Sequence, residues 1–414
     1  MIPQKDQEYL RQLAEELRVC AESDVNLERR ERWYRHNRGE LVTPPIIAET
    51  YGVDNVLVGE LKCTSEVGRN FEMSFRRQLT GFNYVKDDKV IESEFVVGMN
   101  MDLHLFGYSM NDMREYPEGD DLAYEIKHPF KDLENDLKNL KPSYYTYDAD
   151  ETEKNIQIAE DCFGDILKIR VHNFLWDWKL GLSEWAVNLI GMQDLFFAYM
   201  DTPELTDFLY AKMSDDLLRI LMEQEEAELL TLNNGNDYVG SGSRGFTDDL
   251  PAAGFDGKVR LVDRWANMNS QESIGVSPDF YMEHIYPHYE KIAKCFGKTY
   301  YGCCEDVSLF WEQGLKDFPN MNKVSISPFC NQEFMAEKLR GGKIIYSRKP
   351  SPNFIGEDEF NPEAYREHIE ETLKIADGCP LEFLMRDIYR LGDDHSKIPR
   401  AVQIIRDACD KFNR

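Results

Sequence analysis

The tripeptide Cys303-Cys304-Glu305 follows a short β-rich run, Lys298-Thr-Tyr-Tyr-Gly302, so two thiols and a carboxylate gather where a strand ends. In α/β proteins the strand ends are where chemistry sits. Adjacent side chains point apart, so at most one thiol of the pair faces a pocket while its neighbour packs behind. Zinc takes three or four Cys, His, Asp or Glu ligands, and Cys304, Cys330, Glu272 and Glu305 offer suitable groups from separate strand ends. No C-x-x-C or H-E-x-x-H spacing accompanies them. A lone nucleophilic thiol such as Cys303, or a pair of small buried residues, are the other readings of the same motif.

Further polar groups recur at successive strand ends: Asn173 to Trp178, Gly240-Ser-Gly-Ser-Arg-Gly245, Asn269-Ser-Gln-Glu272, Ser327-Pro-Phe-Cys330, Ser347-Arg-Lys-Pro350 and Arg386-Asp387. One shared cavity requires such a set. Arg244, Lys349, Arg386 and Asp387 could hold a carboxylate substrate. Phe174, Trp176, Trp178 and Trp185 either fill core or wall an aromatic pocket. The glycine run lacks a helix-opening context and a later ribose-binding acid, which argues against a dinucleotide fold. His284 and His288, four apart on one helix, read as helix-face residues.

The elements that must position these groups alternate. Strands are expected at 41–47, 166–171, 237–240, 299–303, 323–326, 343–346 and 381–384, with an extended stretch at 90–105. Helices are expected at 5–21, 29–37, 184–197, 203–228, 278–295, 307–315, 333–340, 362–376 and 398–412. Residues 258–265 lead into a loop at 269–272. Strands alternating with helices imply parallel pairing, and about eight strands imply a (β/α)₈ TIM barrel, with a doubly wound sheet as the alternative. The whole chain, 1–414, reads as one barrel domain with an N-terminal helical and extended elaboration over about 1–160. Within it, the acidic segment 109–154 reads as an insertion lying across the barrel mouth or flank. The strand ends near Val171, Gly240, Asn269, Gly302, Ile326, Tyr346 and Leu384 should converge on one face.

Composition limits the partners. The 414 residues are 42% hydrophobic and carry a net charge of −28. That charge argues against nucleic acid and against an anionic membrane surface. No run of about 18 apolar residues and no apolar signal core is found. Nine scattered cysteines fit a reducing compartment, so a cytoplasmic location is expected.

Residues 269–281, with Ile285-Tyr-Pro287 after them, and the strand end Tyr301-Gly-Cys-Cys-Glu305 resemble the uroporphyrinogen decarboxylase superfamily, in particular its corrinoid-linked methyltransferase branch. Residues 193–205 and Gly240-Ser-Gly242 with Leu250-Pro251 add to the likeness, which is spread over about 165–413. The resemblance implies a (β/α)₈ barrel. True decarboxylases of porphyrinogens carry an arginine-rich motif after the first strand, and Thr43-Pro-Pro-Ile-Ile-Ala-Glu49 has none. The methyltransferase branch binds zinc through His-x-Cys and a later Cys. Here Cys304 matches the first Cys, but Gly302 stands at the His position, which makes Glu272, Glu305 and Cys330 the replacements by position.

On this resemblance the expected activity is O-demethylation: a methyl group moves from a small methoxylated molecule, aromatic or not, to the cobalt of a corrinoid on a separate protein. No corrinoid-binding Asp-x-His-x-x-Gly segment is found here, so the corrinoid protein acts in trans. Zinc on Cys304, Cys330 and Glu272, or Glu305 or Asp387 as general acid, would stabilise the leaving oxygen. Trp176, Trp178, Arg244, Tyr301, Lys349 and Arg386 are the implied substrate-binding residues. A cofactor-free decarboxylase or lyase acting on a small carboxylate, and a non-catalytic barrel that binds a corrinoid or tetrapyrrole, are the alternatives.

Overall fold

Parallel strands form where apolar, β-branched and aromatic runs are separated by segments long enough to cross back as helices. The computed structural model of the chain describes residues 2–117 and 124–413. Its parallel strands are β1 (Ile46–Ala48), β2 (Glu94–Gly98), β3 (Lys168–His172), β4 (Trp265–Met268), β5 (Lys298–Tyr301), β6 (Met321–Ile326), β7 (Ile345–Arg348) and β8 (Leu381–Met385). Six make one sheet in the order β1-β8-β7-β6-β5-β4, and β2 pairs with β3 apart from it. β1, β4, β7 and β8 are buried along their whole length, as strands covered on both faces must be.

An eight-stranded ladder closed by backbone hydrogen bonds is not found among the described residues. Side chains stand at the two open seams. On the outer edge of β1, Asp88 accepts from the Ile46 N–H and Asp87 from the Ala48 N–H, each at 2.9 Å. On the outer edge of β4, Asn233 Oδ1 accepts from the Trp265 N–H at 2.9 Å, and its Nδ2 donates to the Trp265 carbonyl at 3.1 Å. These groups satisfy backbone that a neighbouring strand would otherwise pair.

Several expected elements shift. The strand expected at 237–240 does not join the main sheet; Tyr238–Gly240 pairs antiparallel with Ser243–Arg244. The turn between them has positive φ at Gly240, Ser241 and Gly242, which folds the chain back on itself. A Cβ on Gly240 would lie 2.3 Å from the Tyr300 ring, so the hairpin can sit this close to β5 only with glycine there. Residues 258–265, expected to lead into a loop, run instead into a strand, β4, that begins at Trp265. The helix expected over 278–295 is two, Pro278–His284 and Tyr286–Ala293, because Pro287 lacks the N–H that an unbroken helix would need.

At the N-terminal ends of the strands, α1 (Gln4–Ala21) leads into α2 (Asp24–Asn37), whose His36 and Asn37 are fully buried. His36 Nε2 lies 3.1 Å from Glu382 on β8, and Lys323 on β6 reaches the same carboxylate at 3.2 Å. A second, smaller core packs α1 against β2 and β3 around the edge-to-face rings of Phe71, Phe75, Phe95 and Phe163. Residues 118–123 of the acidic insertion lie outside the described residues; of the rest, Met110, Asn111, Arg114 and Tyr124 line the main cavity. No helix among the described residues is long and apolar enough to cross a membrane.

Candidate functional site

Parallel strands bring their C-terminal ends to one side, and there the segments after β1, β3, β5, β7 and β8 supply the chemistry. After β5, Gly302 turns with φ +98°, and a Cβ at that position would press on Ser325 at 3.0 Å. The turn leaves Cys303 6% exposed and Cys304 partly exposed, their sulfurs 3.7 Å apart. Lys349, just after β7, donates from Nζ to the Cys303 carbonyl at 2.6 Å. The Cys304 thiol beside it, with Lys349 and Arg386, holds Cys303 well below the ordinary thiol range against the effect of burial. Cys304 is pushed up by the same contact. The surroundings therefore favour the thiolate form at Cys303 over Cys304.

Arg386, just after β8, joins two cavities. The larger, about 770 Å³, is walled by Trp178, Tyr238, Phe174, Glu49 and Tyr51, with Glu184, Lys179 and Arg114 opposite. The smaller, about 130 Å³, is lined by Cys304, Phe329, Lys349 and Asp387. The Trp178 and Tyr238 rings lie 4.6 Å apart, and the Arg386 guanidinium sits 5.4 Å from the Trp178 ring centre. Arg386 Nε donates to Asp387 Oδ1 at 3.2 Å, whereas its Nη1 is buried with no hydrogen-bond partner among the described residues. The Tyr238 hydroxyl is likewise buried and unpartnered. Asp387 is held at φ +60°, a left-handed conformation that costs a non-glycine residue energy and turns the chain sharply beside Arg386. Burial raises the Glu184 carboxyl despite Lys179 and Arg114 nearby, which favours its protonated form. The part of Glu184 that stays exposed lines the cavity.

Of the residues expected from sequence, Trp178, Arg386, Lys349, Cys304 and Asp387 meet at these two cavities. Arg244 lines a third, adjoining cavity, 3.8 Å from Glu49. Three other expected residues lie in packed surroundings away from these cavities. Trp176 is buried, its indole donating to Gln224 at 2.8 Å, so it fills core. Tyr301 is buried with its hydroxyl bonded to Tyr281. Glu305 is buried and accepts from the backbone N–H of Ser270 at 2.9 Å and of Cys303 at 2.7 Å, so its carboxylate ties the turns after β4 and β5 together.

Each of the expected zinc ligands has another neighbour. Glu272 accepts from Ser183 Oγ at 2.6 Å, Cys330 is buried beside Asp306, and Cys304 sits against Cys303. Among the described residues no three Cys, His, Asp or Glu side chains form a metal-ligand group. His284 and His288, expected on one helix, fall on two successive ones, and both lie near Asp207.

A solved structure described as a methyltransferase from Methanosarcina mazei superposes on this chain with a TM-score of 0.51, covering 93% of this chain and 99% of that one at 11% sequence identity. The likeness is one of fold. No family model matches the chain, and no curated protein matches it in sequence.

Sequence reasoning missed Glu49, Tyr51, Tyr238 and Glu184. Glu49 and Tyr51 follow the apolar run Pro45-Ile-Ile-Ala48 directly, so their place at a strand end was readable. Glu184 sits in the first turn of α3 (Leu182–Ile190), where an acid reads as a favourable partner for the helix dipole and draws no attention as a cavity residue.

Proposed function

We propose that this chain is a methyltransferase of the corrinoid-linked type, which takes a methyl group from a methoxylated aromatic acid held in the larger cavity. The observation that carries this reading is Glu184, a carboxyl that burial keeps toward its protonated form and that faces a cavity walled by Trp178 and Tyr238. The fold likeness to a solved methyltransferase and the resemblance of residues 269–281 and 301–305 support it. On the same reading, β2 and β3 complete one barrel with the six-stranded sheet, interrupted at the two seams.

A methyl ether is a poor methyl donor because the departing oxygen is basic. Glu184 gives its proton to that oxygen as the carbon–oxygen bond breaks, so a neutral phenol leaves in place of a phenolate, and solvent then reprotonates the carboxylate. Arg386 holds the substrate carboxylate with its free Nη1, and the rings of Trp178 and Tyr238 fix the aromatic plane. A corrinoid carried by a partner protein would supply the electron pair that receives the methyl group. The test is a spectroscopic assay of methyl–cobalt formation, using a reduced corrinoid protein, this chain and a panel of methoxylated benzoates. Transfer should depend on the chain, and Glu184→Gln should lower kcat about 100-fold or more. Absence of transfer from every methyl ether, or full activity in E184Q, removes the proposal.

A further inference from the structure

The carboxylate of Asp88 serves the sheet with one oxygen and a cluster of cations with the other. Its Oδ2 accepts from Ile46, while Oδ1 takes Arg406 Nη2 at 2.8 Å and Arg32 Nη2, with Arg29 Nε at 3.8 Å. These residues line a cavity of about 760 Å³ between α2, the segment around Phe82 to Asp88, and α4 (Lys397–Lys411). It shares no residue with the two cavities around Arg386.

Four cations, Arg29, Arg32, Lys86 and Arg406, face two acids there, Glu28 and Asp88. The neighbouring Asp87 is taken by Lys89 at 3.1 Å. The cavity therefore keeps an excess of two positive charges on a chain whose net charge is −28. Arg29 is only 7% exposed, lies over the Phe82 ring at 4.7 Å, and is lowered by burial, with Arg406 and Arg32 acting in the same direction against Asp88 and Asp87. Arg32 Nε is buried with no partner among the described residues. Three guanidiniums drawn to one carboxylate oxygen lack counter-charge.

We infer that this cavity is a binding site for a small phosphate-bearing molecule, the phosphate accepting from Arg29, Arg32 and Arg406 with Lys86 at the rim. A phosphate dianion matches the excess of two charges, and the planar guanidinium fork suits its oxygens. The volume exceeds what a phosphate alone fills, and Phe82 and Val25 offer apolar surface to an organic portion.

The test is calorimetric titration of the full chain with inorganic pyrophosphate, with adenosine monophosphate and ribose 5-phosphate as arms that distinguish a nucleotide from a sugar phosphate. One saturable site is expected, weakened about tenfold in Arg406→Gln and about threefold in Lys86→Gln, and weakened by competition when sulfate, a dianion of the same shape as phosphate, replaces chloride at equal ionic strength. Lys86 is exposed, so its substitution leaves the fold intact and keeps the test valid if R406Q does not fold. No saturable binding of any of the three probes, or wild-type affinity in K86Q, overturns the inference.

Discussion

Replacing Lys323 by Met probes how the floor of the sheet is held. Lys323 and Glu382 are both completely buried; the ammonium reaches Ser243 Oγ at 2.6 Å and the Glu382 carboxylate at 3.2 Å. Glu382 also accepts from Ser347 at 2.7 Å and Ser243 at 2.9 Å, and lies 3.1 Å from His36 Nε2. Burial lowers Lys323 to about 8, whereas Lys323 and His36 overcome burial at Glu382 and hold it down at about 2. Met keeps the length of the lysine stem but leaves the carboxylate without its main counter-charge, at a cost of about 3–5 kcal/mol. Urea denaturation at pH 7 measures it, and the double variant K323M/E382M, which removes both charges, should recover at least half of the loss. The acid side supplies a second reading. A carboxyl lowered from 4.5 to about 2 contributes stability above pH 4.5 that is lost as pH falls toward 2, an effect of about 3 kcal/mol that E382M should lack. A loss under about 1 kcal/mol in K323M, or a double variant no more stable than the single one, refutes the account.

Iodoacetamide at pH 7 should alkylate Cys303 ahead of Cys304, so mass spectrometry should find the fast label lost in Cys303→Ala and slowed in Cys304→Ala, which removes the thiol that lowers Cys303. Glu305→Ala strands two buried N–H groups and should cost about 2–5 kcal/mol in urea denaturation, with Glu305→Gln losing about half as much; a full loss of turnover in E305Q at unchanged stability would instead make Glu305 a chemical participant. Glu272 is raised by burial to about 7, so its protonated form stabilises the fold below pH 4.5 and that contribution, up to about 3 kcal/mol, disappears as pH rises through 7; E272Q should flatten the pH dependence between those values and be the more stable protein at pH 8.

The alternation of strand and helix was legible because apolar runs of four to six residues such as Leu381-Glu-Phe-Leu-Met385 punctuate helical periodicity, and β5 to β8 lie close to where that pattern puts them. The seams were not, since Asp87, Asp88 and Asn233 read as ordinary loop residues until their side chains are seen on the strand edges. At the cavities, Lys349, Arg386 and Asp387 stand where the same logic puts them because they directly follow strands, whereas the surroundings of Glu305 are set by N–H groups donated from two separate turns, which no spacing reveals. Tyr238 was hidden because a hairpin, which no periodicity distinguishes from a parallel strand over three residues, presents it to the cavity.

Unpaired strand edges invite pairing with other chains, and proteins blunt them with charge, bulges or cover. The side-chain seams at β1 and β4 do this from within, presenting carboxylates and an amide where a foreign strand would dock. They also release the intervening chain, residues 89–232, from the demands of backbone register: it must leave after Asp87-Asp88 and return at Asn233, and between these points it is tied to the sheet by side-chain packing rather than by the main ladder. The wall of the larger cavity, to which Met110, Asn111, Arg114 and Glu184 belong, is thus built on a part of the chain whose register is independent of the ladder that Lys349 and Arg386 follow.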